Sequence, residues 1–245
     1  MLKNNPKLKL NYLVTGTGRC GTVYMARLLT SLDINCTHEA MFNYNGIEFA
    51  KSVLHNNEQL RISHCSSYDI LREKNISPWI DTNGEIHAES SYMAAPFLDN
   101  EILKSTKIIH VVRNPLKVIS SHVKDINFFE PHIKHNIWLN FVLNHMPEIK
   151  YIKNSIEKAC YYYINWNDMI ECKIKSHENL RHKVEDECSQ TLLDFLNVSN
   201  SSNAFKNSTI NSWKKRENDL TLDEIPDGTI KKEFIEKINQ YNYGN

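Results

Sequence analysis

The chain lacks an excess of charge and a long apolar segment. Its 29 Lys and Arg residues equal its 29 Asp and Glu residues, so the formal net charge is zero. Proteins that bind nucleic acid usually carry a basic field, so this balance argues against a nucleic-acid partner, although it allows a local basic pocket. No apolar run approaches the roughly 18 residues of a membrane-spanning helix, so no membrane span is predicted.

A regular cysteine or histidine pattern is also missing. The six cysteines contain no Cys-x-x-Cys pair, and the near-ligand spacing of His132 and His135 has no matching second pair. We therefore expect no metal site and no disulfide framework. The N-terminal segment has no apolar core of roughly 7–15 residues before a cleavage site, so we expect no signal peptide. These absences together predict a cytoplasmic protein with reduced thiols.

Short apolar segments alternate with helical patterns along the whole chain. Strands are predicted at 10–15, 34–37, 61–65, 86–89, 107–112 and 180–184. Helices are predicted at 21–32, 46–55, 92–104 and 115–124, over most of 133–175, at 192–196 and up to residue 240. No repeat or linker is visible. The pattern predicts a single α/β domain over residues 1–245, with a mainly parallel central sheet of about four or five strands flanked by helices.

Residues suited to anion binding or proton transfer follow three of these strands. The glycine turn "GTGRCG" at 16–21 follows the first strand, His38 and Glu39 follow the second, and Arg113 follows the strand at 107–112. The carboxyl ends of parallel strands meet at one edge of a sheet, where such sheets bind ligands. We therefore expect these residues to share one edge.

The stretch "VTGTGRCGT" matches two anion-binding patterns. Gly-x-Gly-x-x-Gly is typical of a dinucleotide-binding turn, and Glu39 lies at a suitable distance along the chain to hold a ribose. Gly-x-x-x-x-Gly is typical of a P-loop, whose backbone N–H groups face a phosphate. Thr22 stands where the lysine of a nucleoside triphosphate-hydrolysing loop would follow, which disfavours that reaction but not the binding of another anion.

A second anion-binding pattern lies in "VVRNPLKVISSHV". Arg113 follows a strand, Asn114 suits an N-cap, and Pro115 suits the first helical position. Ser121 lies eight residues after Arg113, so a guanidinium and a hydroxyl can form a small anion clamp. A cofactor with phosphates at two separated places would explain two anion sites at one sheet edge.

These patterns resemble those of the sulfotransferases that use 3′-phosphoadenosine 5′-phosphosulfate (PAPS), of the bacterial or carbohydrate type rather than the cytosolic type. "GTGRCGTVYMARLL" is similar to the family's 5′-phosphosulfate loop, and "VVRNPLKVISSHV" to its 3′-phosphate motif. Weaker similarities lie in "AESSYMAAPFL", "HKVEDECSQTLLDFLNV" and "INSWKKRENDLT". The resemblance spans residues 11–221. It implies a P-loop NTPase-like sulfotransferase fold, with the phosphosulfate loop at 15–24 and the 3′-phosphate motif at 111–122.

The resemblance implies a set of donor-binding residues: Gly18, Arg19, Cys20, Gly21, Thr22, Val23, Tyr24, Arg113, Ser121 and Lys206. Arg19 would lie beside the bridging oxygen and stabilise charge on the leaving phosphate. Tyr24 would stack on the adenine or belong to the core. Arg113, Ser121 and Lys206 would bind the 3′-phosphate. Cys20 and Val23 replace a serine and a threonine of the family's loop, and a helix N-terminus can lower the pKa of a thiol at position 20.

The acceptor must lose a proton to a base. Family members use a His, or a Glu just after the second strand, and Glu39 matches the second placement with His38 as its neighbour. Adjacent side chains at a strand end point apart, so we expect only one of the two to face the site. Arg19, Glu39 and His38 are therefore the predicted catalytic residues, and His122 and Glu89 are weaker candidates for the base.

The predicted activity is in-line transfer of a sulfuryl group from PAPS to a hydroxyl or amine of an acceptor. The acceptor would be a small molecule, a carbohydrate or a lipid, and the product 3′-phosphoadenosine 5′-phosphate (PAP), with no metal required. Two alternatives stay open, an NAD(P)-binding Rossmann-type oxidoreductase and a non-catalytic nucleotide-binding relative. The sequence also leaves open whether the protein forms a homo-oligomer.

Overall fold

A computed structural model describes residues 10–55, 87–130, 136–199 and 219–244. Five parallel strands form one open sheet: β1 (Tyr12–Thr15), β2 (Cys36–His38), β3 (Ala88–Ser90), β4 (Lys107–Val112) and β5 (Asn179–Lys183). Their order across the sheet is β2-β3-β1-β4-β5. The prediction of an α/β fold with a mainly parallel sheet is therefore confirmed, and the described sheet is wholly parallel.

Helices flank this sheet. The α-helices are α1 (Thr22–Ser31), α2 (Gly46–His55), α3 (Pro115–Ser120), α4 (Asn136–His145), α5 (Ser155–Lys173), α6 (Gln190–Leu196) and α7 (Thr229–Gln240). Shorter 3₁₀ turns lie at Tyr92–Phe97, Glu101–Leu103, Pro147–Tyr151, Ile174–Ser176, Val184–Asp186 and Leu222–Glu224, and α3 continues into a π-helical turn at Ser121–Asp125. No helix within these ranges combines the length and apolar character needed to cross a membrane.

Local sequence chemistry explains where several elements begin. The Asn114 side chain accepts a hydrogen bond from the Lys117 N–H, and Pro115 occupies the first turn of α3, so the predicted cap is confirmed. The predicted helix at 92–104 is wrong. Pro96 lacks an N–H to donate, and Asn100 caps a new turn, so this segment forms two 3₁₀ turns instead. The predicted strand at 61–65 lies outside the described residues.

Both faces of the sheet are covered by apolar side chains. Leu13 and Ile108 belong to the cluster that includes residues of α5 and α7, whereas Val14 and Ile109 belong to the cluster under α1 and α6. Successive residues of a strand point to opposite faces, so the continuous apolar character of β1 and β4 follows from burial on both sides.

The strand order defines where a ligand crevice opens. β1 and β4 are neighbours in the sheet, but the chain leaves them in opposite directions. After β1 it runs to β2 at one edge of the sheet, and after β4 it runs to β5 at the opposite edge. The place between two adjacent strands whose connections run in opposite directions is called a topological switch point. Open parallel sheets bind ligands there, beyond the carboxyl ends of the two strands. Here those strands are β1 and β4, which are followed by the glycine turn and by Arg113 respectively.

Candidate functional site

The glycine turn joins β1 to α1 by a tightly packed backbone. Arg19 has a left-handed backbone with φ of 68°, and Gly21 has φ of 110°. Gly21 is also the N-cap residue of α1, and it has no side chain with which to cap the first amides of that helix. The start of α1 thus has no side-chain cap and presents the positive end of a helix dipole, a feature at which proteins commonly bind anions.

Gly16 has no room for a side chain. A Cβ at this position would overlap the carbonyl oxygen of Val111 in β4 and lie 2.5 Å from Cys20 Sγ. A Cβ at Gly228, before α7, would meet no atom within 4 Å.

Gly16→Ala is therefore expected to lower the free energy of unfolding by about 3 kcal/mol, because the overlapping Val111 oxygen belongs to a strand paired with β1. Gly228→Ala is expected to change it by less than about 0.5 kcal/mol. Urea unfolding followed by circular dichroism measures both values. Equal losses in the two variants would contradict the close packing of the turn.

The two predicted anion-binding patterns meet in the structure. An Nη1–H of Arg113 donates to the Arg19 carbonyl oxygen at 3.2 Å, and the Arg19 Nε–H donates to Ser121 Oγ at 2.9 Å. Ser121 Oγ in turn donates to Asp125 Oδ2 at 2.8 Å. Arg19 and Ser121, which the resemblance assigns to different phosphates, are therefore in direct contact. Two guanidinium groups lie at this edge, each with five N–H donors, which makes it suited to an anion.

His38 and Glu39 also lie near the start of α1. His38 Nε2 is 3.2 Å from Thr22 Oγ1 and 3.7 Å from Glu39 Oε1. The prediction that these two side chains point apart is wrong. Glu39 has a left-handed backbone with φ of 53°, so the alternation of an extended strand ends before it and the two side chains converge. Burial lowers the pKa of His38 to about 4, so its ring is neutral at pH 7.

Glu89 holds the segment that follows Glu39. The side chain of Glu89 is fully buried in β3 and accepts hydrogen bonds from the Met41 N–H at 3.0 Å and the Phe42 N–H at 3.4 Å. The Thr37 hydroxyl donates to its second oxygen. Burial raises the pKa of Glu89 to about 7, against the opposing effect of these donors. Glu89 therefore supports the loop after β2.

Two serines after Glu89 connect the same strand to both sides of the site. Ser90 Oγ donates to the Thr22 carbonyl oxygen at 2.7 Å, in the first turn of α1. Ser91 Oγ donates to the Phe42 carbonyl oxygen at 2.6 Å, in the loop after β2. The segment "AESS" thus joins the start of α1 to the loop that carries Glu39.

The structure supports some of the roles predicted for the other donor-binding residues and contradicts others. Tyr24 is 5% exposed and lies in the apolar cluster under α1, which supports the core alternative over adenine stacking. The expected lowering of the Cys20 pKa is wrong, because burial raises the pKa of this thiol to about 12. Val23 is half-buried in α1. Lys206 lies outside the described residues.

Sequence reasoning did not identify Tyr162 as a residue of this site. Tyr162 lies on α5, and its hydroxyl oxygen accepts a hydrogen bond from the Gly18 N–H at 2.9 Å. The stretch "YYYINW" indicated an aromatic helix, but a contact across 144 positions leaves no local pattern. His122 lies beside Tyr162, with ring centroids 5.3 Å apart, and its Nδ1–H donates to the Val118 carbonyl oxygen. Burial lowers the pKa of His122 to about 3.

The predicted site residues that the structure describes lie together at one edge of the sheet. The Arg19 and Arg113 guanidinium groups lie at the ends of β1 and β4. The neutral imidazole of His38 lies next to Thr22, and the Glu39 carboxylate lies 3.7 Å from that imidazole. No three His, Cys, Asp or Glu side chains come together to bind a metal in the ranges described. Neither any protein-family model nor any curated protein matches this chain.

Proposed function

We propose that this chain is a P-loop-like sulfotransferase that moves a sulfuryl group from PAPS to a hydroxyl or amine of a small-molecule, carbohydrate or lipid acceptor. The observation that carries the proposal is the hydrogen bond from Arg113 to the carbonyl oxygen of Arg19. It joins two anion-binding patterns, 94 positions apart, at the switch point of the sheet. A donor with a 5′-phosphosulfate and a 3′-phosphate requires two such patterns within the length of one nucleotide.

The glycine turn would hold the 5′-phosphosulfate. The N-terminus of α1 favours a negative group there, and Arg19 would lie beside the oxygen that bridges phosphorus and sulfur. When the sulfur–oxygen bond breaks, negative charge accumulates on that oxygen, so a fixed guanidinium stabilises the transition state more than the ground state. The bond to Ser121 uses the Nε–H of Arg19 and fixes the direction of its guanidinium.

Glu39 would remove the proton of the acceptor. Its carboxylate lies 3.7 Å from His38 Nε2, and His38 lies 3.2 Å from Thr22 Oγ1, so the carboxylate is close to the proposed phosphosulfate loop. A base on this side would place the acceptor oxygen next to the sulfur as transfer begins. His38 is the alternative base, because its neutral ring can accept a proton.

The strand order argues against the oxidoreductase alternative. In the dinucleotide-binding arrangement the second strand lies next to the first, so that the acidic residue after it reaches the ribose. Here β3 lies between β1 and β2. Glu39, the residue that would have held the ribose, follows the outer strand β2 instead.

Binding of PAP provides a direct test that needs no known acceptor. Isothermal titration calorimetry is expected to show that PAP binds more tightly than AMP, NAD(H) or ATP, because only PAP carries both phosphates. Arg113→Ala is expected to weaken PAP about tenfold or more, as the loss of a charge-assisted hydrogen bond does. Lys117→Ala is the matched control, because this exposed cation lies on the outside of α3. Equal binding of AMP and PAP, or a preference for NAD(H), would contradict the proposal.

A further inference from the structure

Tyr162 makes an unusual contact with the glycine turn. The amides of a phosphate-binding turn normally point toward the anion. The Gly18 N–H points instead to the Tyr162 hydroxyl oxygen, at 2.9 Å, on a side chain that is fully buried. Gly18 also packs closely here, because a Cβ on it would lie 3.2 Å from His122 Nε2 and 3.4 Å from the Tyr162 oxygen. The Thr17–Gly18 peptide is therefore held against α5.

The ring of Tyr162 is itself fixed by its neighbours. Its centroid lies 5.3 Å from that of His122, 5.9 Å from that of Phe129 and 5.2 Å from that of Trp166. His122 directly follows Ser121, the residue that accepts the hydrogen bond from Arg19. Consecutive residues of the turn, Gly18 and Arg19, are thus tied to one buried group of side chains.

Arg19 needs such support because its backbone is strained. A non-glycine residue with a left-handed backbone persists only where surrounding contacts hold it, and φ of Arg19 is 68°. The Cys20 N–H closes the turn by donating to the Thr17 carbonyl oxygen at 3.3 Å. The Gly18 bond to Tyr162 and the Arg113 bond to the Arg19 carbonyl oxygen then tie this turn to the rest of the protein.

We propose that Tyr162 is a positioning residue for Arg19: by holding the Gly18 N–H, its hydroxyl fixes the left-handed turn that aims the guanidinium at the 5′ end of the bound nucleotide. The ligand part of this inference rests on the proposed function. Without the hydroxyl, the Gly18 N–H is left without its buried acceptor, and the turn relaxes to find another partner. Arg19 then no longer meets the 5′-phosphate in the correct geometry.

The test is Tyr162→Phe, which keeps the ring and removes the hydroxyl. Calorimetry is expected to show PAP binding weakened about tenfold, and binding of adenosine 3′-phosphate, which lacks the 5′-phosphate, unchanged. In an Arg19→Ala background, Tyr162→Phe is expected to have no further effect on PAP binding, since it acts through Arg19. Tyr241→Phe is the matched control: this buried tyrosine loses a hydroxyl that donates to Glu171 rather than one that accepts from the glycine turn.

A ligand-free measurement separates this inference from the proposed function. Amide hydrogen exchange of Gly18 is expected to be at least about tenfold faster in Tyr162→Phe than in the unchanged protein, with no such acceleration in Tyr241→Phe. Unchanged exchange, or an equal loss of affinity for PAP and adenosine 3′-phosphate, would overturn the positioning role. Failure of the unchanged protein to bind PAP would overturn the proposed function, and the exchange measurement would still decide the role of Tyr162.

Discussion

Acidification from pH 6.5 to pH 4.5 is expected to remove most of the stability of this protein. Burial lowers the pKa of His38 and His110 to about 4 and that of His122 to about 3. In the unfolded chain a histidine takes up its proton near pH 6.5. Because the folded pKa values are lowered, the neutral rings contribute stability above pH 6.5, and this contribution is lost as the pH falls toward 4.

Glu89 opposes this trend. Burial raises its folded pKa to about 7, so its contribution to stability is complete below its unfolded pKa near 4.5 and is lost as the pH rises to 7. One carboxyl offsets one of the three imidazoles. Together these four groups lower the free energy of unfolding by roughly 2–3 kcal/mol per pH unit below pH 6.5, which over two units approaches the total stability of a small domain.

Urea unfolding at several pH values between 4.5 and 7.5 measures this slope. His122→Phe, which keeps an aromatic ring beside Phe128 and Tyr162, is expected to reduce the slope by roughly 1.4 kcal/mol per pH unit. Glu89→Gln is expected to steepen it by a similar amount, since its opposing contribution is removed. The two variants thus change the slope in opposite directions. A slope unchanged in both would contradict the shifted pKa values of His122 and Glu89. The charged neighbours are Glu39 beside His38, Glu171, Arg181 and Lys237 around His110, and Arg19 and Asp125 around His122.

Glu39→Gln is expected to lower the rate of sulfuryl transfer roughly 10²–10⁴-fold, the range of a lost general base. The amide keeps the size and shape of the side chain but cannot accept the acceptor's proton at neutral pH. PAP binding is expected to stay within about twofold of the unchanged protein, because Glu39 does not hold the donor. An acceptor screen with labelled PAPS supplies the substrate for the assay, and calorimetry measures PAP binding.

His38→Gln is the matched control for that experiment, because it changes the neighbouring side chain in the same loop. It is expected to slow transfer far less than Glu39→Gln does. The reverse order would move the role of base from Glu39 to His38. Equal, small effects of both variants would contradict a base in this loop and favour the non-catalytic alternative.

The fold could be predicted where local chemistry determines it. The apolar run of β4, followed by Asn114 and Pro115, defines a strand end, a cap and a helix start from adjacent residues. The grouping of the predicted site residues at one sheet edge could be predicted from the same local patterns, because the carboxyl ends of parallel strands lie together. The helix predicted at 92–104 is wrong because its apolar spacing indicated a helix, whereas Pro96 and Asn100 interrupt the segment.

The site was less predictable because its key contacts are not local. Convergence of His38 and Glu39 depends on one left-handed residue, and no glycine or asparagine marks position 39. The raised pKa of Cys20 depends on burial by side chains distant in sequence. Tyr162 meets the turn only because α5 packs against the sheet, which the aromatic pattern of the helix does not reveal.

The short segment Glu89–Ser91 holds two parts of the site in position relative to each other. Glu89 and Ser91 point to the loop after β2, while Ser90 between them points to α1. Shifting a strand by one residue exchanges the faces of all its side chains. A single inserted residue just before Glu89 would therefore break the bonds to the start of α1 and to the loop that carries Glu39 in one step. Natural length changes should be tolerated elsewhere before they are tolerated here.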